Sequence, residues 1–128
     1  MEEKKKILIV DDDSFLLDMY ALKFTQSGFV VDTALGSKIA LEKLMAGLSP
    51  DVMLCDIVMP EMDGFELLEK INHDGLIQNT IKIILSNRGQ TSDITRGEAL
   101  GVSGYIVKAN TTPSEVITRV LEIVNKKK

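Results

Sequence analysis

The sequence predicts an α/β fold, a doubly wound five-stranded parallel sheet with helices on both faces. Five short apolar segments alternate with five segments of helical periodicity. The links between them are short, which favours right-handed βαβ crossovers within one sheet. The first apolar segment has no polar position, as expected of a parallel strand that is covered on both faces.

The first four elements fall within residues 7–46. Residues 7–10 and 30–34 are the first two strands. The first helix, residues 14–26, follows a candidate N-cap at Asp13 and ends before Gly28, a residue type common just beyond a helix. Its apolar residues at helical spacing are Phe15, Leu16, Met19, Tyr20, Leu22 and Phe24. The second helix, residues 37–46, stops at Gly47, and its expected inward residues are Ile39, Ala40, Leu44 and Met45.

The next four elements fall within residues 52–100. The third strand, residues 52–56, ends on Asp56, and the fourth, residues 81–85, leads to Ser86. The third helix, residues 65–71, follows a candidate N-cap at Asp63, and its apolar face consists of Phe65, Leu68 and Ile71. The fourth helix, residues 93–100, is the weakest, because Gly97 in its interior costs roughly 1 kcal/mol relative to alanine.

The last βα unit closes the domain. Its strand, residues 105–107, leads to Lys108. The helix begins with a capping box, in which Thr112 is the N-cap, Pro113 lies in the first turn and Glu115 comes three residues after the cap. Its expected buried stripe is Val116, Ile117, Val120, Leu121 and Val124.

Length and composition narrow the class of protein. The 128 residues predict one domain, residues 1–128, with a core at about residues 4–125 and short charged ends. The net charge of −4 argues against direct binding of duplex nucleic acid. Cys55 has no second cysteine to pair with, which fits a reducing compartment. No apolar run approaches membrane-spanning length, so we expect a cytoplasmic protein that does not contact a membrane.

Acids, a hydroxyl and an amine stand where the predicted strands end. They are Asp11, Asp12, Asp13, Asp56, Ser86 and Lys108. Because parallel strands present their carboxyl ends at one crevice, we expect these groups to converge, with Asp13 serving as the helix cap. Crowded carboxylates need a cation or a raised pKa at neutral pH, and their oxygens suit Mg²⁺, with Mn²⁺ as an alternative. A carboxylate nucleophile beside a cation, a lysine and a hydroxyl is typical of phosphoryl transfer to aspartate.

These residues lie in motifs that resemble the receiver domain of two-component response regulators. Asp11 and Asp12 follow IV, Asp56 lies within LCDIVMPEMDG, Ser86 follows IIL and Lys108 follows GYIV. The resemblance covers about residues 4–125. It implies a flavodoxin-like (βα)5 fold with strand order 2-1-3-4-5.

The resemblance also implies roles for these residues. Asp56 is the expected phosphoacceptor. The expected Mg²⁺ ligands are Asp12 directly, Asp11 mainly through water, Asp56, and the main-chain carbonyl of Val58. Ser86 and Lys108 are expected to bind phosphoryl oxygens. Ser86 and Tyr105 are the expected switch pair, in which the aromatic ring turns inward when the hydroxyl moves.

Two positions depart from the family pattern. Ala109 stands where the family commonly has a proline after a cis peptide bond, so the conformation of the Lys108–Ala109 link is an open question. Asn87 replaces the usual alanine or glycine after the switch hydroxyl. We expect Val58, Asn87 and Arg88 to set the lifetime of the phosphorylated state.

The function expected from the resemblance is a signalling switch rather than an enzyme. A sensor histidine kinase or phosphotransfer protein is expected to phosphorylate Asp56. The surface of the fourth helix, fifth strand and fifth helix then changes and controls a protein target, an output domain or a homodimer.

The alternative is a pseudo-receiver interaction module that does not use phosphate chemistry. The departures at Ala109 and Asn87 are the reason to consider it. Val58 argues against an aspartate-nucleophile phosphatase, which uses an acid two residues after its nucleophile, and the acidic segment after the first strand argues against a flavin site.

Overall fold

The structure, a computed structural model, describes residues 4–126. Along the chain the elements are β1 (Lys6–Asp11), α1 (Ser14–Gln26), β2 (Val30–Leu35), α2 (Ser37–Met45), β3 (Val52–Cys55), α3 (Gly64–His73), β4 (Ile81–Ser86), α4 (Thr91–Ala99), β5 (Gly104–Val107), a 3₁₀ turn (Lys108–Asn110) and α5 (Pro113–Lys126). The strands form one parallel sheet in the order β2-β1-β3-β4-β5. The predicted fold class and strand order are confirmed.

Each face of the sheet has its own apolar core. The first core joins α1 and α5 to the sheet, and its helical members include Leu17, Tyr20, Phe24, Val116, Val120 and Val124. The second core joins α2 and α3 to the other face, and its helical members include Ala40, Leu44, Phe65, Leu67, Leu68 and Ile71. The central strands are buried on both sides, which explains their continuous apolar sequence.

The helix boundaries follow the predicted caps. The Asp13 carboxylate accepts hydrogen bonds from the first turn of α1, and Asp63 forms a capping box with Glu66 at the start of α3. Thr112 and Glu115 form the reciprocal box that begins α5. Among residues 4–126, no helix combines the length and apolar character that crossing a membrane requires.

Three apolar residues expected to face the core are exposed instead. Ile39 and Met45 in α2 and Leu121 in α5 are 40%, 65% and 38% exposed, so these expectations are wrong. Each stands directly beside a buried residue in sequence, and one residue turns a helix by about 100°. The narrow inward stripe therefore excludes them. Phe15 and Leu22 of α1 are exposed as well.

Candidate functional site

The carboxyl ends of β1, β3 and β5 bring three charged groups into contact. Asp11 is the last residue of β1, Asp56 follows β3, and Lys108 follows β5. The Lys108 ammonium lies 2.8 Å from Asp11 Oδ2 and 3.3 Å from Asp56 Oδ2. Lys108 thus meets residues that stand 97 and 52 positions earlier in the chain. Asp11 and Asp56 lie side by side because β1 and β3 are neighbours in the sheet.

Burial sets the electrostatics of this cluster. Burial raises the pKa of Asp56; the nearby Lys108 lowers it, and Asp11 raises it further. Burial lowers the pKa of Lys108, but its hydrogen bond to Asp11 and its attraction to Asp56 outweigh that effect and leave the pKa raised. The ammonium therefore stays charged and holds two carboxylates that would otherwise repel each other.

The third carboxylate completes a group suited to a divalent cation. Oxygens of Asp11, Asp12 and Asp56 lie within 4.8 Å of one another. Asp12 is exposed, whereas the other two carboxylates are buried. Three carboxylates beside one ammonium leave uncompensated negative charge, and hard oxygen donors with a solvent-facing side suit Mg²⁺. The donor set therefore fits a magnesium ion.

Main-chain amides orient the two buried carboxylates. The Asp13 N–H donates to Asp11 Oδ1 at 3.0 Å, and the Ile57 N–H donates to Asp56 Oδ1 at 2.7 Å. In both residues the other oxygen, Oδ2, accepts from Lys108. The amide contacts were not expected from the sequence, because the backbone path beyond each strand decides them.

Ser86, Arg88 and Tyr105 form a chain of contacts between β4 and β5. Ser86 is fully buried at the end of β4, and its hydroxyl accepts from the Arg88 N–H at 3.2 Å. The Tyr105 hydroxyl donates to the Arg88 carbonyl. A movement of Ser86 would therefore reach Tyr105 through one residue of backbone.

The Arg88 side chain contacts the neighbouring helices. Its guanidinium lies 2.8 Å from Asp93 Oδ1 in the first turn of α4 and 5.8 Å from the centre of the Phe65 ring in α3. The resemblance singled out Arg88 for the lifetime of the phosphorylated state, but the sequence gave no sign of this partner, because the loop between residues 88 and 93 decides whether the two charges meet.

The remaining predicted residues lie around the acidic group. Val58 and Asn87 are exposed. Ala109 lies in the 3₁₀ turn that follows β5. Within residues 4–126 every peptide bond is trans, so the Lys108–Ala109 link differs from the cis form that is common in the family.

The comparisons with known proteins decide the family. A model of the response regulator receiver domain matches residues 7–121. The chain belongs to the response regulator receiver domain family. The regulator of RpoS from Escherichia coli strain K12 is 34% identical over 120 residues, which are 94% of this chain and 34% of that protein. The phosphate regulon protein PhoB from Rhizobium meliloti strain 1021 is 32% identical over 123 residues, which are 96% of this chain and 53% of that protein.

Solved structures show the same fold for this receiver domain. The chemotaxis protein CheY4 from Vibrio cholerae superposes with a TM-score of 0.85 at 26% identity, covering 94% of this chain and 99% of that chain. The receiver domain of the Francisella response regulator 1452 superposes with a TM-score of 0.84 at 31% identity. The match covers 98% of this chain and 100% of that chain. The receiver domain spans between about a third and a half of the two curated relatives.

Proposed function

We propose that this receiver domain is a phosphorylation-controlled switch whose phosphoacceptor is Asp56. The observation that carries the proposal is the meeting of the Asp56 carboxylate with the Lys108 ammonium at 3.3 Å, inside a group of three carboxylates. The expected donor is a phosphohistidine on a sensor histidine kinase or phosphotransfer protein. Residues 1–128 are proposed to be one receiver domain, and any activity of a longer protein is a separate proposal.

The transfer needs a nucleophile and a means of holding the charged phosphoryl oxygens. A carboxylate oxygen of Asp56 attacks the phosphorus, the bond from phosphorus to the donor nitrogen breaks, and its electron pair stays on that nitrogen. Lys108 then donates hydrogen bonds to a phosphoryl oxygen instead of to Asp56, and the buried Ser86 hydroxyl donates to another. The domain catalyses only its own phosphorylation and dephosphorylation.

The proposed magnesium site uses Asp11, Asp12, Asp56 and the carbonyl of Val58. A bound Mg²⁺ supplies positive charge that offsets the carboxylates and the phosphoryl oxygens. Asp11 and Lys108 contact each other at 2.8 Å, so Lys108 already neutralises part of this site without a metal. Mn²⁺ is proposed as a substitute because it accepts the same oxygen ligands.

The switch is proposed to run through Ser86 and Tyr105. When Ser86 turns to a phosphoryl oxygen, its hydroxyl no longer accepts from the Arg88 N–H, and the Arg88 carbonyl that Tyr105 contacts moves with that backbone. The surface that α4, β5 and α5 form together then changes and controls the binding of a downstream target or the formation of a homodimer. Val58, Asn87 and Arg88 are proposed to set how long the phosphorylated state lasts.

The test is phosphorylation with acetyl phosphate and Mg²⁺, followed by intact mass measurement. The unmodified sequence should gain one phosphoryl group, Asp56→Asn should gain none, and Asp18→Asn, an exposed acid on α1, should behave as the unmodified chain does. Failure of the unmodified chain to gain a phosphoryl group, or to respond to Mg²⁺ with beryllofluoride, would contradict the proposal. That result would favour the pseudo-receiver module that does not depend on phosphorylation.

A further inference from the structure

The first turn of α3 presses against the peptide bond that follows Asp56. A Cβ atom added at Gly64 would lie 2.2 Å from the Asp56 carbonyl oxygen and 2.9 Å from the Ile57 Cα. Both are main-chain atoms, so rotation of a side chain cannot relieve the overlap. The Gly64 N–H donates to the Ile57 carbonyl at 2.8 Å, which fixes the close approach.

This peptide unit also holds the Asp56 side chain. Its N–H, from Ile57, donates to Asp56 Oδ1 at 2.7 Å, and its carbonyl oxygen accepts from the Cys55 thiol at 3.1 Å. The atoms of a peptide unit lie in one plane, so the carbonyl oxygen and the N–H move together. A displacement of the carbonyl by α3 would therefore turn the N–H away from the carboxylate.

Helix capping does not explain why residue 64 is glycine. Asp63 is the N-cap of α3, and its carboxylate accepts from the Glu66 N–H. The residue after an N-cap has helical φ and ψ, and the φ of Gly64 is not positive, so its backbone conformation does not require glycine. The space beside the Asp56 carbonyl is therefore the feature that requires glycine.

We propose that Gly64 is a positioning residue for phosphoryl transfer, acting through the peptide between Asp56 and Ile57 to fix the direction of the Asp56 carboxylate. The inference rests on the proposed role of Asp56 as phosphoacceptor. Any side chain at position 64 would have to displace the peptide by about 1 Å to reach an ordinary contact distance. A misplacement of that size near reacting atoms costs up to about 100-fold in rate.

The test compares Gly64→Ala with Gly104→Ala. Gly104 is a suitable control because a Cβ there would also meet a close atom, but that atom is the flexible end of the Ile123 side chain, at 2.4 Å. With acetyl phosphate and Mg²⁺, Gly64→Ala should lower the maximal rate of phosphorylation 10- to 100-fold, with the KM for acetyl phosphate within about twofold. Gly104→Ala should leave both within about twofold.

A spectroscopic measurement separates positioning from general damage to the fold. Asp56→Asn should shift the Ile57 amide resonance in the unmodified background, because the charged acceptor of its hydrogen bond is replaced. In the Gly64→Ala background the same replacement should shift that resonance much less. If Gly64→Ala does not fold, the dependence of the Ile57 amide on Asp56 remains measurable in the unmodified chain, and its absence there overturns the proposal.

Other outcomes are equally decisive. Equal rates in Gly64→Ala and the unmodified chain, or equal losses in Gly64→Ala and Gly104→Ala, overturn the role of Gly64 but leave Asp56 as the phosphoacceptor. If the unmodified chain takes up no phosphoryl group and binds no beryllofluoride, the proposed function itself is wrong.

Discussion

α4 and α5 flank the same strand, β5, but they are attached to the domain by different kinds of contact. α5 buries a stripe of Val116, Val120 and Val124 in the first core. The buried residues of α4 are only Asp93 and Gly97. α5 is thus held by apolar area, whereas α4 must be held by polar groups and by the close approach that Gly97 permits.

The polar attachments of α4 lead to α3 and to the site. Arg96 lies 3.0 Å from Glu69 and 4.5 Å from the centre of the Phe65 ring, and Asn72 Nδ2 donates to the Leu100 carbonyl at 2.9 Å. At the other end, Asp93 binds Arg88, as described above. Such contacts are individually weak and reversible. The difference teaches that α4 is the helix suited to move when the site changes, and α5 is the one suited to stay.

The largest expected effect comes from a substitution in the buried stripe of α5. Val120→Ala removes two methyl groups from a fully buried position and should lower the free energy of unfolding by about 2 kcal/mol, measured by urea denaturation. Ile94→Ala in α4 removes more carbon, but Ile94 belongs to neither core, so it should cost less than about 1 kcal/mol. A larger loss for Ile94→Ala would reverse the comparison.

A smaller effect is expected at the start of α4. Asp93→Asn removes the charge from a nearly buried partner of Arg88 and should cost about 1 kcal/mol. Amide hydrogen exchange should accelerate in α4 but not in α5. Glu98→Gln, an exposed acid on the same helix, is the control. Unchanged exchange in Asp93→Asn would show that this ion pair does not hold α4.

The contact between α4 and α3 should contribute least. The Arg96 and Glu69 side chains are about half exposed, so Arg96→Gln should lower the free energy of unfolding by no more than about 0.5 kcal/mol. The part of this loss that comes from the ion pair should become smaller at high salt, because salt screens exposed charges. Glu69→Gln, which keeps the arginine over Phe65, should cost less again. If Arg96→Gln lowers the free energy of unfolding by more than about 1 kcal/mol at every salt concentration, α4 is held as firmly as α5 and the comparison is wrong.

The acidic cluster at the strand ends should carry a stability cost whose sign is testable. The pKa of Asp56 is raised in the folded state, mainly by burial. The fold is therefore favoured at low pH, where Asp56 is protonated, and loses that stabilisation as the pH rises through the folded-state pKa. Without metal, Asp56→Asn should stabilise the domain at neutral pH, by an amount that diminishes as the pH falls. Destabilisation by Asp56→Asn at neutral pH would contradict this assignment, and Asp18→Asn is the exposed control.

The contrast also marks the limit of what the sequence could predict. Periodicity and caps placed every strand and helix, and the strand ends correctly brought Asp11, Asp56 and Lys108 together. Such predictions need only local pattern and the rule that parallel strands share one functional edge. The sequence also predicts that the fourth helix is the weakest, because of Gly97, and that remains a prediction. In the fold, that glycine leaves room for the Ile84 side chain, 2.9 Å from where a Cβ would lie.

What could not be predicted depends on where loops and long side chains go. The pairing of Arg88 with Asp93 and the placement of Arg96 over Phe65 join residues whose spacing carries no signal. The amide that binds the Asp56 carboxylate and the fit of Gly64 depend on backbone path. Ile39 and Met45 were misplaced because apolar character does not tell which side of a short helix faces the sheet.

The most direct test is amide-resolved hydrogen exchange with and without Mg²⁺ and beryllofluoride, in the unmodified chain and in Asp56→Asn. Beryllofluoride should change exchange in the segment from Ser86 through α4 and leave the buried stripe of α5 unchanged, and Asp56→Asn should abolish the response. No response in the unmodified chain, a response that survives Asp56→Asn, or an equal change in α4 and α5 would contradict this expectation.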